Sequence, residues 1–421
     1  MSRHGTLACT LLVLLLAVAP PPSCTALAPP PRAVVVPVTK DPATSLYTIP
    51  VRYYDDLVVD LSGPLIWSTC ADDHLPASIS CHDPTCLLAN AFPSPSCKPT
   101  TTGGCATAAD EKVCTAYPYN PVTGQCASGK LVHTRFIANT TDGKRPLTQA
   151  SVKAIAACAP RSLLSSRRGF PARATGVAGL AATGLALPAQ VASSQRAAAK
   201  FLLCLPRLGY NPGVAILGSG GPFYLDEGLP DFASTLDHTP LVTKNGSAAY
   251  HVTANAIALD DARLPLRPGA IAVAMSTSSP YGSLRRDVYR PLVRAFEAGL
   301  NRSDARVAAV APFELCYRSA SLWNTRIGYF VPAVRLVLAG GSNYTMTGTN
   351  SMVDVNRETA CLAFVEMKGV NAGDASSPAV ILGGFQMENM LLQFDLEKKR
   401  LGFVRLPYFT SCSNFNFTKA Q

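Results

Sequence analysis

Charge is scarce in this chain of 421 residues: charged side chains make up 15% and hydrophobic ones 48%. That balance excludes a disordered, self-repelling polymer. The net charge of +10 is spread along the sequence, with no run of five Lys or Arg, so no nucleic-acid-binding stripe is expected. Long apolar runs are missing after Leu7–Ala19, so no membrane span is expected in the mature chain. The six His form no H-x-x-x-H pair, and Cys81-x4-Cys86 and Cys97-x7-Cys105 do not have zinc-pair spacing. No metal or cofactor is therefore expected. No G-x-S-x-G elbow exists, so the cluster Ser276-Thr277-Ser278-Ser279 reads as a hydroxyl-rich turn rather than a nucleophile site.

What the sequence has is Pro (34), Gly (30) and Cys (14). Arg3 and His4 precede the apolar run, and Pro20-Pro21-Pro22 and small residues follow it to Ala28. This is the layout of a secretory signal over residues 1–28. Setting aside Cys9 and Cys24 leaves an even twelve: Cys70, Cys81, Cys86, Cys97, Cys105, Cys114, Cys126, Cys158, Cys204, Cys316, Cys361 and Cys412. Six disulfides in an oxidising compartment are expected. Sequons at Asn139, Asn245, Asn301, Asn343 and Asn416 are candidate glycosylation sites of a secreted chain. Arg161, Arg167, Arg168 and Arg173 read as a solvated basic loop.

Residues 29–45 read as extended. Short apolar runs broken by Gly, Pro, Asn and Asp then follow: Tyr47-Thr48-Ile49, Leu57-Val58-Val59, Leu65-Ile66-Trp67 and Leu131 to Ile137. These are closely spaced strand signals. Two helices are predicted. One runs from Leu187 to Phe201. The other runs from Asp287 to Leu300, with Val288, Leu292, Ala295, Phe296 and Leu300 on one stripe. A duplication is visible. Leu57 to Gly63 and Ile271 to Ser279 are both apolar strands entering turns of small residues. Gly176 to Leu180 and Val380 to Gly384 follow in the same order in each half.

With Val59-Asp60-Leu61-Ser62-Gly63-Pro64-Leu65-Ile66-Trp67, the chain resembles the pepsin-like aspartic proteinases in their plant form. The same holds for Phe201-Leu202-Leu203-Cys204-Leu205-Pro206, Leu315-Cys316-Tyr317 with Cys361-Leu362-Ala363-Phe364, and Val380 to Phe385. The resemblance implies an all-β, bilobal pepsin-like fold with few short helices, its lobes near 29–235 and 236–421. It also implies the bridges Cys316–Cys361 and Cys204–Cys412. Such peptidases hold a water between two carboxylates that share one proton. Here Asp60 aligns with the first carboxylate, Leu61 stands for Thr and Ser62 for Gly. Ser276 aligns with the second carboxylate, and a serine hydroxyl cannot share that proton. Tyr119 aligns with the flap tyrosine but is followed by Asn120-Pro121-Val122 instead of Gly-Asp-Gly. Asp60 and Ser276 thus read as vestigial, and no catalysis is expected.

Thr85 to Ala91, Tyr117-Pro118-Tyr119-Asn120-Pro121, His133-Thr134-Arg135-Phe136, Ser351 to Val355 and Phe364 to Val370 are similar to the cereal xylanase inhibitors of the Triticum aestivum type. That resemblance implies a monomeric defence protein of the apoplast and cell wall. Its partner would be a microbial glycoside hydrolase, a family-eleven endo-1,4-β-xylanase, whose cleft it plugs. It places Leu322, Trp323, Tyr408 and Phe409 in contact loops, with Tyr408 where the family carries a His. A phenol can hydrogen-bond and stack but adds no charge between about pH 5 and 8. The alternatives are an inhibitor of another secreted glycoside hydrolase, a wall or storage glycoprotein of the same fold, or a residual aspartic peptidase.

Overall fold

The computed structural model describes residues 32–418, apart from 53–54, 71–76, 93–96, 98–104, 106–111, 165–168, 227 and 268. The expected signal segment, Arg167 and Arg168 lie outside the described residues.

Strands dominate. A sheet of thirteen strands and a second of eight hold most of the chain. Tyr47–Arg52, Asp55–Asp60, Ile66–Thr69 and Gly129–Thr141 form at the predicted apolar runs, and Val34–Lys40 forms within the stretch read as extended. The thirteen-stranded sheet draws on both ends of the chain. Lys200–Cys204 pairs antiparallel with Met390–Asp395, and that strand pairs with Arg400–Arg405. The aromatics of this junction stack. Phe201 and Phe394 lie 4.5 Å apart and 8° from parallel, and Tyr250 packs on Phe394 at 4.5 Å. All three rings are buried, each removing large apolar area from water.

The duplication is architectural. Asp55–Asp60 runs parallel to Ala174–Gly179, which pairs antiparallel with Ile66–Thr69. In the second half Ile271–Met275 runs parallel to Val380–Leu382, which pairs antiparallel with Gly282–Leu284. Ile66–Thr69 and Gly282–Leu284 then each take a further parallel partner. Two copies of one strand-loop arrangement therefore present Asp60 and Ser276 at equivalent strand ends.

Helix Arg286–Leu300 buries Val288, Leu292 and Phe296 of the predicted stripe and Tyr289 beside them, with Ala295 and Leu300 partly buried, and ends where Asn301 turns left-handed at φ 49°. The earlier helix is shorter than predicted. Leu187–Gln195 stops at Arg196, which has φ 53°. Phe201 belongs instead to a strand, opposite Leu217 and Phe394, because stacking in the sheet outweighs helix propensity there.

All twelve cysteines pair. Cys70–Cys158, Cys81–Cys105, Cys86–Cys114 and Cys97–Cys126 staple the loop-rich stretch. Cys204–Cys412 and Cys316–Cys361 form as the resemblance implied. Cys81, His82 and Cys105 come together with metal-like spacing, but two of the three sulfur and nitrogen donors are the sulfurs of one disulfide. Arg173 is exposed and lies 3.7 Å from Asp56. Among the described residues no helix is long and apolar enough to cross a membrane.

Candidate functional site

Asp60 closes its strand and is 1% exposed. Its Oδ1 accepts from the Ser62 N–H at 3.0 Å, the Ser62 hydroxyl at 2.7 Å and the Ser278 hydroxyl at 3.4 Å. Its Oδ2 is buried with no partner. Burial pushes the carboxyl above its ordinary range, and the Ser62 and Ser278 hydrogen bonds oppose that rise. Gly63 lets the loop close, because a Cβ there would lie 2.8 Å from the Gly179 Cα. The close backbone approach thus survives with Ser62 and Gly63 in exchanged order.

Ser276 follows the equivalent strand, and its N–H donates to the Leu382 carbonyl at 2.9 Å. Its hydroxyl lies 3.1 Å from that of Ser278 and accepts from the Ser279 N–H at 3.2 Å. Between the loops, the Thr277 hydroxyl donates to the Val59 carbonyl at 2.6 Å and accepts from the Leu61 N–H at 3.1 Å. The reciprocal contact is missing because Leu61 has no hydroxyl. Tyr119 hydrogen-bonds Ser62, and burial together with the nearby Asp60 charge raises its phenol pKa. The space beside Asp60, bounded by Trp67, Asn90 and Tyr119, is about 10 Å³. That is at the lower limit for one water. One carboxylate, three serines and a threonine offer no second acid to share a proton.

The inhibitor-type residues behave differently. Trp323 is 78% exposed and Tyr408 58%, with Phe409 also exposed. Leu322 is 7% exposed and belongs to the main core, so the contact expected of it is corrected: its side chain faces inward while its neighbour faces out. Trp323 opens a small hairpin in which Asn324–Thr325 pairs with Gly328–Tyr329 and the Phe330 N–H donates to the Trp323 carbonyl at 2.7 Å. Thr349 N–H and the Thr347 hydroxyl both donate to the Ile327 carbonyl, holding the tip. The 407–411 loop is pinned at both ends. Leu406 N–H donates to the Asn389 carbonyl, and Cys412 N–H donates to Asn389 Oδ1, with the Cys204 bridge behind it.

The two segments meet at a residue that sequence reasoning missed. Arg326, at the hairpin tip, donates to the Tyr408 hydroxyl at 3.1 Å, and its guanidinium carbon lies 5.0 Å from the centre of the Tyr408 ring. Phe409 meets Tyr408 edge-on at 5.4 Å. Exposed aromatics and a cation thus come together where the hairpin meets the 407–411 loop. No spacing rule joins residues 326 and 408, and only the fold brings them together.

Two family models match the chain in succession, Xylanase inhibitor N-terminal over residues 47–219 and Xylanase inhibitor C-terminal over 249–405. The chain belongs to the xylanase inhibitor family. Within that family it is 47% identical, over the full length of both chains, to a rice (Oryza sativa subsp. japonica) protein named Chitinase CLP. The crystal structure of edgp superposes with a TM-score of 0.79 at 30% identity, covering 92% of this chain and 98% of that one. The aspartic proteinase from Irpex lacteus matches with a TM-score of 0.57 at 14% identity, covering 90% of this chain and 99% of that one. The fold of this family member is therefore the all-β, bilobal pepsin-like one. The family matches span both strand-loop copies, including Asp60, Ser276 and the hairpin that carries Trp323.

Proposed function

We propose that this protein is a secreted inhibitor of microbial glycoside hydrolases, with family-eleven endo-1,4-β-xylanases as its targets, and that it has no peptidase activity. The observation that carries the reading is the exposure of Trp323, Tyr408 and Phe409, with Arg326 of the Trp323 hairpin bonded to and stacked on Tyr408. Aromatic and Arg side chains are the commonest anchors of protein interfaces, and a well-seated one is worth about 2 kcal/mol or more. Glycosidases cleave with two carboxyl groups flanking the sugar. A guanidinium delivered on an aromatic wedge complements such a cleft in shape and charge. The hairpin and the 407–411 loop are tied down before any partner arrives, which lowers the ordering cost of docking. The six disulfides support a secreted, extracellular setting.

The peptidase half of the proposal rests on Asp60 having serines where a second carboxylate is needed. The experiment is an inhibition assay of the purified mature protein against a panel of fungal and bacterial xylanases, beside a pepstatin-controlled digest at acid pH. Saturable inhibition of at least one family-eleven enzyme is expected, with no digestion. Failure against the whole panel would overturn the inhibitor reading.

The name of the rice relative favours a second reading, action on chitin. The dyad region does not support it, since Asp60 is buried and lacks a second acid beside it. Release of chitin oligomers by the purified protein would revive that reading.

A further inference from the structure

Beneath the 407–411 loop lies a cavity of about 350 Å³, bordered by Arg207, Arg326, Glu388, Asn389, Arg405 and Tyr408. Its size falls within the range of small-molecule pockets, roughly 300–1,000 Å³. Its charge is one-sided. The single carboxylate, Glu388, is already engaged: its Oε1 accepts from Lys40 Nζ at 2.5 Å and from the Tyr47 hydroxyl at 2.7 Å. Burial raises the Glu388 carboxyl pKa, Lys40, Tyr47 and Arg207 oppose that rise, and among the described residues Arg207 closes no ion pair with it. Among the described residues none of the three arginines has a carboxylate partner within salt-bridge distance.

Arg405 is the unusual member. It ends an interior strand and is half-buried. Its guanidinium donates only to the Thr347 hydroxyl at 2.6 Å and the Thr345 carbonyl at 3.1 Å, both neutral. Burial lowers its pKa, so the charge is held against its own desolvation. An uncompensated cation in such a place destabilises the fold, and an apolar residue of similar length would be favoured for stability alone. A planar guanidinium is also the side chain best matched to a carboxylate, which it can grip with two parallel hydrogen bonds.

We infer that this cavity is a binding site for a small hydroxylated carboxylate, a uronic acid or short acidic oligosaccharide, held through its carboxylate by Arg405 and Arg207. Arg326 adds a third positive charge at the rim. Asn389, Thr410 and Ser411 supply polar groups suited to sugar hydroxyls, and the volume exceeds what a bare inorganic anion fills. The site does not depend on the hydrolase reading, since its occupancy is measured with no hydrolase present.

The test is titration calorimetry and thermal melting of the mature protein with galacturonate, trigalacturonate, neutral galactose and inorganic phosphate. Saturable binding of the acidic sugars, with a raised melting temperature and no response to galactose, is expected. Arg405→Met should weaken binding at least tenfold while the unliganded variant melts no lower than wild type. Arg207→Gln, on a loop residue outside the strands, should weaken it severalfold and covers the case in which the first variant fails to fold. The inference is overturned if no acidic sugar binds at millimolar concentration, if phosphate binds and galacturonate does not, or if both variants bind as wild type does.

Discussion

Replacing Asp60 by Asn isolates the chemistry of a lone acid in a two-acid site. In the folded protein Oδ1 accepts three hydrogen bonds, from Ser62 twice and Ser278 once, and an amide oxygen can accept the same three. The other oxygen, Oδ2, is buried without a donor. Leaving a buried acceptor unpaired costs about 1–3 kcal/mol, and more when it carries charge. Burial places the folded carboxyl pKa above its unfolded value of 3.8. Below 3.8 both states are protonated and the charge costs nothing. As pH rises the unfolded chain gives up its proton first, so stability is lost between 3.8 and the folded value and stays lost above it. Asp60→Asn has no such slope. Urea unfolding of both proteins from about pH 3 to 8 should therefore give a difference curve that rises in favour of the variant and levels off, by about 1–3 kcal/mol. The variant should inhibit xylanase unchanged, since Asp60 is buried whereas the proposed contact residues Trp323, Tyr408 and Phe409 are exposed. A flat curve, or one in which wild type gains with pH, would refute the reasoning and mean that Ser62 and Ser278 outweigh burial.

Other expectations concern the docking surface, the core and the glycans. Arg326→Ala and Trp323→Ala should each weaken inhibition of a responsive xylanase at least tenfold, about 1.4 kcal/mol, measured as the inhibition constant. Between about pH 5 and 8 that constant should follow only the target's titration, because a guanidinium keeps its charge there. Tyr408→His should bring no gain, since an imidazolium would sit beside the Arg326 cation now stacked on that ring. Phe394→Ala should lower unfolding free energy by about 3–5 kcal/mol, read from the urea midpoint, because Phe201 and Tyr250 both lose their ring partner. Peptide mass spectrometry should find glycans among Asn245, Asn301, Asn343 and Asn416, which are exposed. Asn139 should be bare, being half-buried in a strand paired with Val35 on one side and Gln149 on the other.

The sequence by itself determined the architecture and the presence of one carboxylate where the resemblance leads one to expect two. Repeated strand-plus-turn segments, Asp60 and Ser276 at matched places and an even set of cysteines are local signals. Hydrogen-bonding groups and covalent partners act on them wherever the chain goes. The stripe of helix Arg286–Leu300 was legible for the same reason, since a period of 3.6 fixes which residues face the core. Where sheet pairing competed with helix propensity, at Phe201, local pattern failed, because the stacking partner Phe394 lies almost two hundred residues away. The surface proposed for docking was only half legible. Neighbours in sequence, Leu322 and Trp323 look alike as apolar loop residues, yet one enters the core and the other leaves it. Arg326 carried no signal, because its meaning comes from Tyr408. The same holds for Arg405, an ordinary strand residue until the fold gives it only neutral partners among the described residues. Tertiary structure decided these points because exposure, charge compensation and long-range contact are properties of the packed surface, and no window along the chain contains them.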